Sequence, residues 1–355
     1  MLNSRDQNSP SERTCSMKAA FLKTVGSPDC IQYAELPAPV ATGNQVLVRT
    51  QSVAVNPIDT YIRSGSVKAS LPDPYIVGSD LAGIVEAVGP ECARFKVGDR
   101  VWGSNQGLAG RQGSFAELCA IEEKWLYPIP DGVSFEAAAA GAMVGITAHL
   151  GLFFHGSLKA GEVVFVNGGS GGVGSAVVQL AKAAGATVIT SAGSPAKAAD
   201  CREHGADYVI EYRTEDVDLR LAEILKTTGQ INLWFETHRV PTPERSLPLM
   251  ALRGRLIFMA GRDARPVIPL GQFYTRDLRA IGFAMFNATP DEQRDAATDL
   301  NRMLAAGTWR PKIGARFPLS QAAAAHRLQE ENTLQGANTL TGKIVLNVDG
   351  PVRSV

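Results

Sequence analysis

A continuous apolar run, Val163–Val166, leads into Gly169-Ser170-Gly171-Gly172-Val173-Gly174, then a helical pattern from Val173 to Ala184 and a second β-branched run at Thr187–Thr190. Unbroken apolar character is expected of a parallel strand buried on both faces. Strand, glycine-rich turn, helix and strand within about thirty residues is the setting that gives G-x-G-x-x-G a physical meaning. The glycines let the backbone turn sharply and approach a pyrophosphate, whose charge rests on the helix N-terminus. The stretch therefore predicts a dinucleotide site, with Ser170, Gly171, Gly172, Val173 and Gly174 around the pyrophosphate. A glycine-rich turn in an ordinary α/β unit is the weaker alternative in this setting.

The end of the second strand predicts which dinucleotide. A site for NAD usually carries an acidic residue there to hold the ribose 2′-hydroxyl. Between Ala186 and Ala199 there is no Asp or Glu; Ser191-Ala192-Gly193-Ser194-Pro195-Ala196-Lys197 offers hydroxyls and one cation. A 2′-phosphate wants donors and positive charge, so Ser191 and Lys197 favour NADPH. The bland alternative for Lys197 is a solvated lysine on the next helix.

The chain has 355 residues, enough for two ordinary domains. Lys plus Arg and Asp plus Glu balance at 35 each, so no global field recruits nucleic acid or an anionic membrane. No apolar stretch is expected to reach the roughly eighteen uncharged residues of a membrane span. Residues 1–16 contain no apolar core of a leader, and Asp6 and Glu12 argue against a transit peptide. They are expected to form a disordered tail, with the folded chain starting at Met17. The cysteines at 15, 30, 92, 119 and 201 show no C-x-x-C spacing, and the five histidines form no H-x3-H or H-E-x-x-H pair. A cytoplasmic enzyme of a reduced compartment is the expectation.

Met17–Leu22, Gln45–Val55, Ile84–Val88 and Phe115–Ile121 read as short strands, and Val97–Val101 as a turn into another, an antiparallel, barrel-like lobe. Within it, Asn56 can cap a short helix, Pro57 suits its first position, Asp59 its dipole and Gly65 its end. Arg63 can pair with Asp59 one turn earlier. An Ala-rich helical stretch runs from Ser134 to Phe154. Past the glycine motif, strands at Tyr208–Ile210, Ile231–Phe235, Arg255–Ala260 and Leu278–Phe283 alternate with helices near 195–204, 216–228 and 243–252. Six strands with intervening helices predict a doubly wound parallel sheet, an α/β fold. Helices are also expected at 291–306 and Leu319–Glu330. Lys343–Val348 is a final apolar strand expected to return to the first lobe.

Several motifs then fall in one order: Asn56–Gly65, Gly78-Ser79-Asp80-x-x-Gly83, Gly98-Asp99-Arg100-Val101, Gly113-Ser114-Phe115-Ala116-Glu117 and Gly169–Gly174. In that order the chain, from about Met17 to Val348, resembles the quinone oxidoreductases, the zinc-free, zeta-crystallin-like branch of the medium-chain dehydrogenase/reductase superfamily. The resemblance implies a GroES-like catalytic domain over residues 17–140, completed by 290–355, and a Rossmann domain over 141–289. It also implies NADPH and a homodimer or homotetramer joined through the Rossmann sheets. It places Thr147 near the nicotinamide, Tyr212 beside the adenosine phosphate, and Lys343, more weakly, at the same phosphate. Zinc-dependent members place a Cys near this Asn56 and Gly-His-Glu where this chain has Gly78-Ser79-Asp80. Gly141–His149 contains no Cys to act as a third ligand, and His149 stands alone there. A catalytic zinc needs three protein ligands, so a metal-free reductase is expected.

Without a metal, hydride must go to a carbon already activated by conjugation, in a quinone or an α,β-unsaturated carbonyl. The protein then positions the reactants and stabilises or protonates the oxyanion. Tyr61 is the expected proton or hydrogen-bond donor, and Asn56 the amide that orients nicotinamide and substrate; capping for Asn56 and rim packing for Tyr61 are the structural alternatives. A 2-enoyl thioester reductase is the neighbouring alternative, and a protein that binds NADPH without turnover the alternative from another class. The first would want a basic entrance, which the sequence does not locate. Where the family usually has Asp-Val-Gly after the fourth strand, this chain has Phe235-Glu236-Thr237-His238-Arg239, which predicts a differently shaped loop near the cofactor.

Overall fold

The computed structural model describes residues 15–348. Six strands form one parallel sheet: β1 (Val163–Asn167), β2 (Thr187–Ala192), β3 (Tyr208–Glu211), β4 (Ile231–Glu236), β5 (Met250–Phe258) and β6 (Arg279–Gly282). Their order is β3-β2-β1-β4-β5-β6. β1 is the hinge of that order, pairing in parallel with β2 on one side and β4 on the other. Val163–Val166 are all buried, which is why the run needs no alternation. The chain leaves β1 toward one edge and returns at β4 toward the other, which opens a crevice at the C-terminal ends of both strands.

The other lobe is an antiparallel barrel built around the strand Gln45–Val55, which pairs with Asp80–Val88, Leu118–Glu122 and the C-terminal strand Lys343–Asn347. Lys343–Asn347 also pairs in parallel with Ile313–Pro318, a strand that no expectation included. Its alternation is shallow, half-buried against exposed, so its apolar signal is weak. The first strand begins at Ser16, and the Cys15 carbonyl accepts from Ala38 N–H at 2.8 Å. The folded chain therefore takes in Cys15 and Ser16, ahead of the expected start at Met17; residues 1–14 lie outside the described residues.

The lobes meet along the helix Phe135–His149, which Ser134 caps by accepting from Ala137 N–H. Gly141 and Gly145 face Trp309, and a Cβ on either would overlap its ring. Two corrections follow from this region and its neighbours. Phe135–His155 is, by length and composition, apolar enough to cross a membrane, against the expectation that no stretch would be; in the fold 83% of that window is buried. The helix expected over 243–252 is only Pro243–Ser246 with one tight turn after it, because Pro248 interrupts the ladder and β5 already begins at Met250. Arg63 also finds a different partner. Its guanidinium is 1% exposed, donates to the Gly26 carbonyl at 2.7 Å and pairs with Glu330, not Asp59.

Candidate active site and dinucleotide cradle

The three motif glycines have three different surroundings. A Cβ on Gly169 would run into the Thr190 side chain, and one on Gly174 into the Gly168 carbonyl. These two are glycine because strand, turn and helix close on them. Gly171 is exposed, and an added Cβ would meet nothing nearer than the Gly168 carbonyl at 3.7 Å. It caps the helix Gly172–Ala183 with no side-chain hydrogen bond, so the first N–H groups there stay available. A tight turn, an open approach and a close helix–strand contact are the three requirements of a pyrophosphate cradle. Ser170 and Val173 flank that opening.

At the end of β2 the expected residues divide. Ser191 is 2% exposed, accepts from Gly168 N–H at 3.0 Å and donates to Asn167 Oδ1 at 3.0 Å. It ties the glycine turn to β1, so its hydroxyl is spent inside the protein. Lys197 is not a solvated lysine: it is 7% exposed, and its ammonium donates to the carbonyl and the side-chain oxygen of Asn338. Burial, with Arg213 adding to it, pushes its pKa down. Tyr212 is 41% exposed, and a Cβ on Gly193 would overlap its hydroxyl and lie 2.9 Å from Asn338 Nδ2. Ser194, Lys197, Tyr212, Arg213 and Asn338 thus form one donor-rich corner without an acid facing Lys197 closer than Asp200. Asn338 and Arg213 escaped the sequence reading, since Asn338 arrives from a loop over a hundred positions away.

Lys343 does not reach that corner. It is buried on the first turn of its strand, and its ammonium donates to the Val55 carbonyl at 2.6 Å and to Asn56 Oδ1. Asn56 Nδ2 donates to Asp80 Oδ2 at 2.8 Å, which also accepts from Met143 N–H at 3.4 Å. Asp80 Oδ1 accepts from Ser104 at 2.6 Å. Asp59 closes the set, accepting from Asn56 N–H at 2.8 Å and from Ser79 Oγ at 2.5 Å. Asn56 and Asp59 form the capping box of this helix, and the Asn56 amide is also clamped between an ammonium and a carboxylate. Burial raises the pKa of both aspartates, that of Asp59 to about 7, and lowers that of Lys343. With a proton on Asp59, one negative and one positive charge remain, an arrangement a buried site tolerates far better than two carboxylates sharing one ammonium.

Tyr61 lies five positions past Asn56 on the same short helix and is half-buried. Burial pushes its hydroxyl pKa up, and the charges of Arg239 and Arg262 pull it the other way. Thr147, 5% exposed, sits one turn beyond Met143 on the helix that touches Asp80. The loop after β4 is shaped by Glu236, 3% exposed, whose carboxylate accepts from Asn167 Nδ2, Trp234 Nε1 and His238 N–H. A Cβ on Gly168 would lie 2.8 Å from Thr237 Oγ1 and 3.0 Å from His238 Nε2, so this loop leans on the dinucleotide turn. Among the described residues no group of three His, Cys, Asp or Glu is placed to hold a metal ion.

A family model described as alcohol dehydrogenase GroES-like domain matches residues 42–131, and one described as zinc-binding dehydrogenase matches residues 172–303. Quinone oxidoreductase of Homo sapiens is 31% identical over 331 residues, covering 93% of this chain and 97% of its own. The chain belongs to the quinone oxidoreductase family. Quinone oxidoreductase of Pseudomonas aeruginosa is 35% identical over 328 residues, 90% of this chain and 96% of its own. The structure of Escherichia coli quinone oxidoreductase complexed with NADPH superposes with a TM-score of 0.80 at 27% identity, covering 94% of this chain and all of that one. The chain thus has the superfamily's two parts, a GroES-like lobe and a Rossmann sheet. One of these family descriptions names zinc; at the positions that the resemblance sets against zinc ligands this chain has Asn56, Ser79 and Asp80.

Proposed function

We propose that the chain is an NADPH-dependent, metal-free reductase of quinones or α,β-unsaturated carbonyls, as the names of its relatives suggest. The observation that carries this reading is the buried Asp80–Asn56–Lys343 clamp, with Tyr61 on the short helix that follows Asn56 and the dinucleotide turn left open at Gly171. When bound, NADPH supplies a hydride. Gly171, Gly172, Val173 and Gly174 would hold its pyrophosphate, Lys197, Tyr212 and Arg213 its 2′-phosphate, and Asn56 and Thr147 the nicotinamide end. Lys343, donating to Oδ1, and Asp80, accepting from Nδ2, together fix which way the Asn56 amide points. Burial keeps the Tyr61 proton in place until a carbonyl oxygen gains negative charge beside it, and the hydroxyl then donates to that oxygen. We also infer cytoplasmic residence and a homodimer or homotetramer, supported by the buried packing of Phe135–His155 and the exposed edge of β6.

NADPH oxidation at 340 nm tests the reading, with 1,4-benzoquinone, 9,10-phenanthrenequinone, an alkyl vinyl ketone and crotonyl-CoA as acceptors. Turnover is expected to survive EDTA and to fall about 10²–10⁴-fold in Tyr61→Phe, the usual worth of a positioned acid. Tight NADPH binding with no acceptor reduced would put the non-catalytic binding protein first. Preference for NADH would sink the assignment of Lys197 and Arg213.

A further inference from the structure

Two arginines that no motif selected reach from the parallel sheet to the lobe that carries Tyr61. Arg239 ends the turn after β4 and Arg262 follows Gly261 after β5, so both leave the C-terminal ends of adjacent strands. That edge is where doubly wound sheets bind their ligands. Gly261, at φ 83°, lies so close to the Arg239 backbone that a Cβ there would sit 2.6 Å from its carbonyl oxygen. The two turns are thereby packed together. Arg262 Nη1 donates to the Ser66 carbonyl at 2.7 Å, and the next residue, Val67, donates its N–H to the Tyr61 carbonyl at 3.1 Å. Arg239 Nη1 reaches the Thr333 carbonyl at 3.4 Å. Both cations therefore cross from the sheet to the catalytic lobe, and their charges pull the Tyr61 pKa down against its burial.

Little negative charge answers them. Asp263 lies 3.5 Å from Arg262, but both side chains are more than half exposed, and such pairs are weak. Among the described residues Arg239 has no carboxylate within ion-pair distance. The chain as a whole is neutral, so this excess is local. A plain quinone or enone offers a guanidinium nothing to pair with, whereas carboxylates and phosphates match its fork of donors. We propose that Arg239 and Arg262 select an acceptor carrying an anionic group, a carboxylate or a phosphate, held at the mouth while its conjugated carbonyl lies at Tyr61. This rests on the reductase reading above and supplies the basic entrance that the sequence did not locate.

Two matched pairs of acceptors test it. A 1,4-naphthoquinone bearing a propanoate chain is compared with its methyl ester, and crotonyl-CoA with crotonyl-N-acetylcysteamine. Within each pair the reacting group is the same; the naphthoquinones differ in charge and one methyl, the thioesters in the phosphorylated nucleotide arm, and salt separates charge from size. The expected result is a kcat/KM about tenfold higher for the anionic member at low salt, since a field of this kind raises association rates by one order or more. The ratio should fall toward one near 0.5 M NaCl, where screening shortens to roughly 4 Å, and in Arg239→Gln/Arg262→Gln. Because the ratio is read within each protein, a general loss of activity cancels. Preference in the quinone pair alone identifies a carboxylate, and in the thioester pair alone a phosphate; both support the proposal. A ratio near one in both pairs, or one that survives salt and the double substitution, overturns it while leaving the reductase reading intact. If NADPH binds and none of the four acceptors is reduced, the reductase reading falls and the proposal falls with it.

Discussion

Asp59 and His326 are both wholly buried, and they respond to pH in opposite directions. Burial, helped by the Asp80 carboxylate, lifts Asp59 from its ordinary 3.8 to about 7 against the donors Ser79 and Asn56 and the charge of Lys343. Between those values the folded chain holds a proton that the unfolded chain has released, so stability falls as pH rises through the window. His326 packs edge-on against Phe115, and its ring nitrogens find no partner among the described residues. Burial and Arg63 depress it from 6.5 to about 3. Here the unfolded chain binds the extra proton, so stability falls as pH drops. From about pH 4 to 6.5 the two slopes oppose each other, and single substitutions should unmask them. Asp59→Asn is expected to leave a stability that climbs with pH, and His326→Leu one that declines, each by on the order of 1–3 kcal/mol across the window. Denaturant midpoints in small steps of pH measure both; curves parallel to the unmodified protein would refute the assignments.

The turn between β1 and the helix Gly172–Ala183 separates packing from binding within one motif. Gly174→Ala must push the helix off the Gly168 carbonyl, an overpacking that costs about 1–3 kcal/mol and should lower the melting temperature. Gly171→Ala has ordinary φ and open space, so its fold should stay within about 0.5 kcal/mol of the original. Its NADPH affinity should nevertheless drop about tenfold, close to 1.4 kcal/mol, because the methyl occupies the approach. A fluorescence titration that finds Gly171→Ala binding normally would mean that the pyrophosphate does not pass there. This element was legible in the sequence because strand, turn and helix are local, as was the helix that carries Asn56 and Tyr61. What was not legible is assembled from a distance. Lys343 looked like a phosphate ligand, and only the pairing of its strand with Gln45–Val55 brings the ammonium to Asn56. Asn338 and the Arg239–Arg262 pair come from loops without a motif. The buried state of Phe135–His155 likewise depends on partners that composition does not reveal.

At the scale of the molecule, β6 leaves the parallel sheet with one open edge. Three of its four residues are exposed, whereas β1 is buried along nearly its whole length. An unpaired edge offers a row of backbone donors and acceptors to another strand. Beside it, Val267, Leu270 and Tyr274 are 68%, 69% and 70% exposed, a cluster of apolar side chains that a solitary protein gains nothing by displaying. Pairing two β6 edges would continue the sheet across a twofold axis and cover the cluster on both copies, the self-complementary contact that symmetry requires. Arg262 reaches Ser66 and Lys343 reaches Asn56 within one chain. Association should therefore matter for stability more than for chemistry. Light scattering after gel filtration is expected to give at least twice the chain mass of 37.7 kDa at micromolar concentration. Leu270→Asp/Tyr274→Asp should halve it, by placing carboxylates in the contact, while turnover per chain stays within about threefold, as expected of sites far apart. A monomer before substitution, or an unchanged mass after it, would remove β6 and its neighbours as the assembly surface.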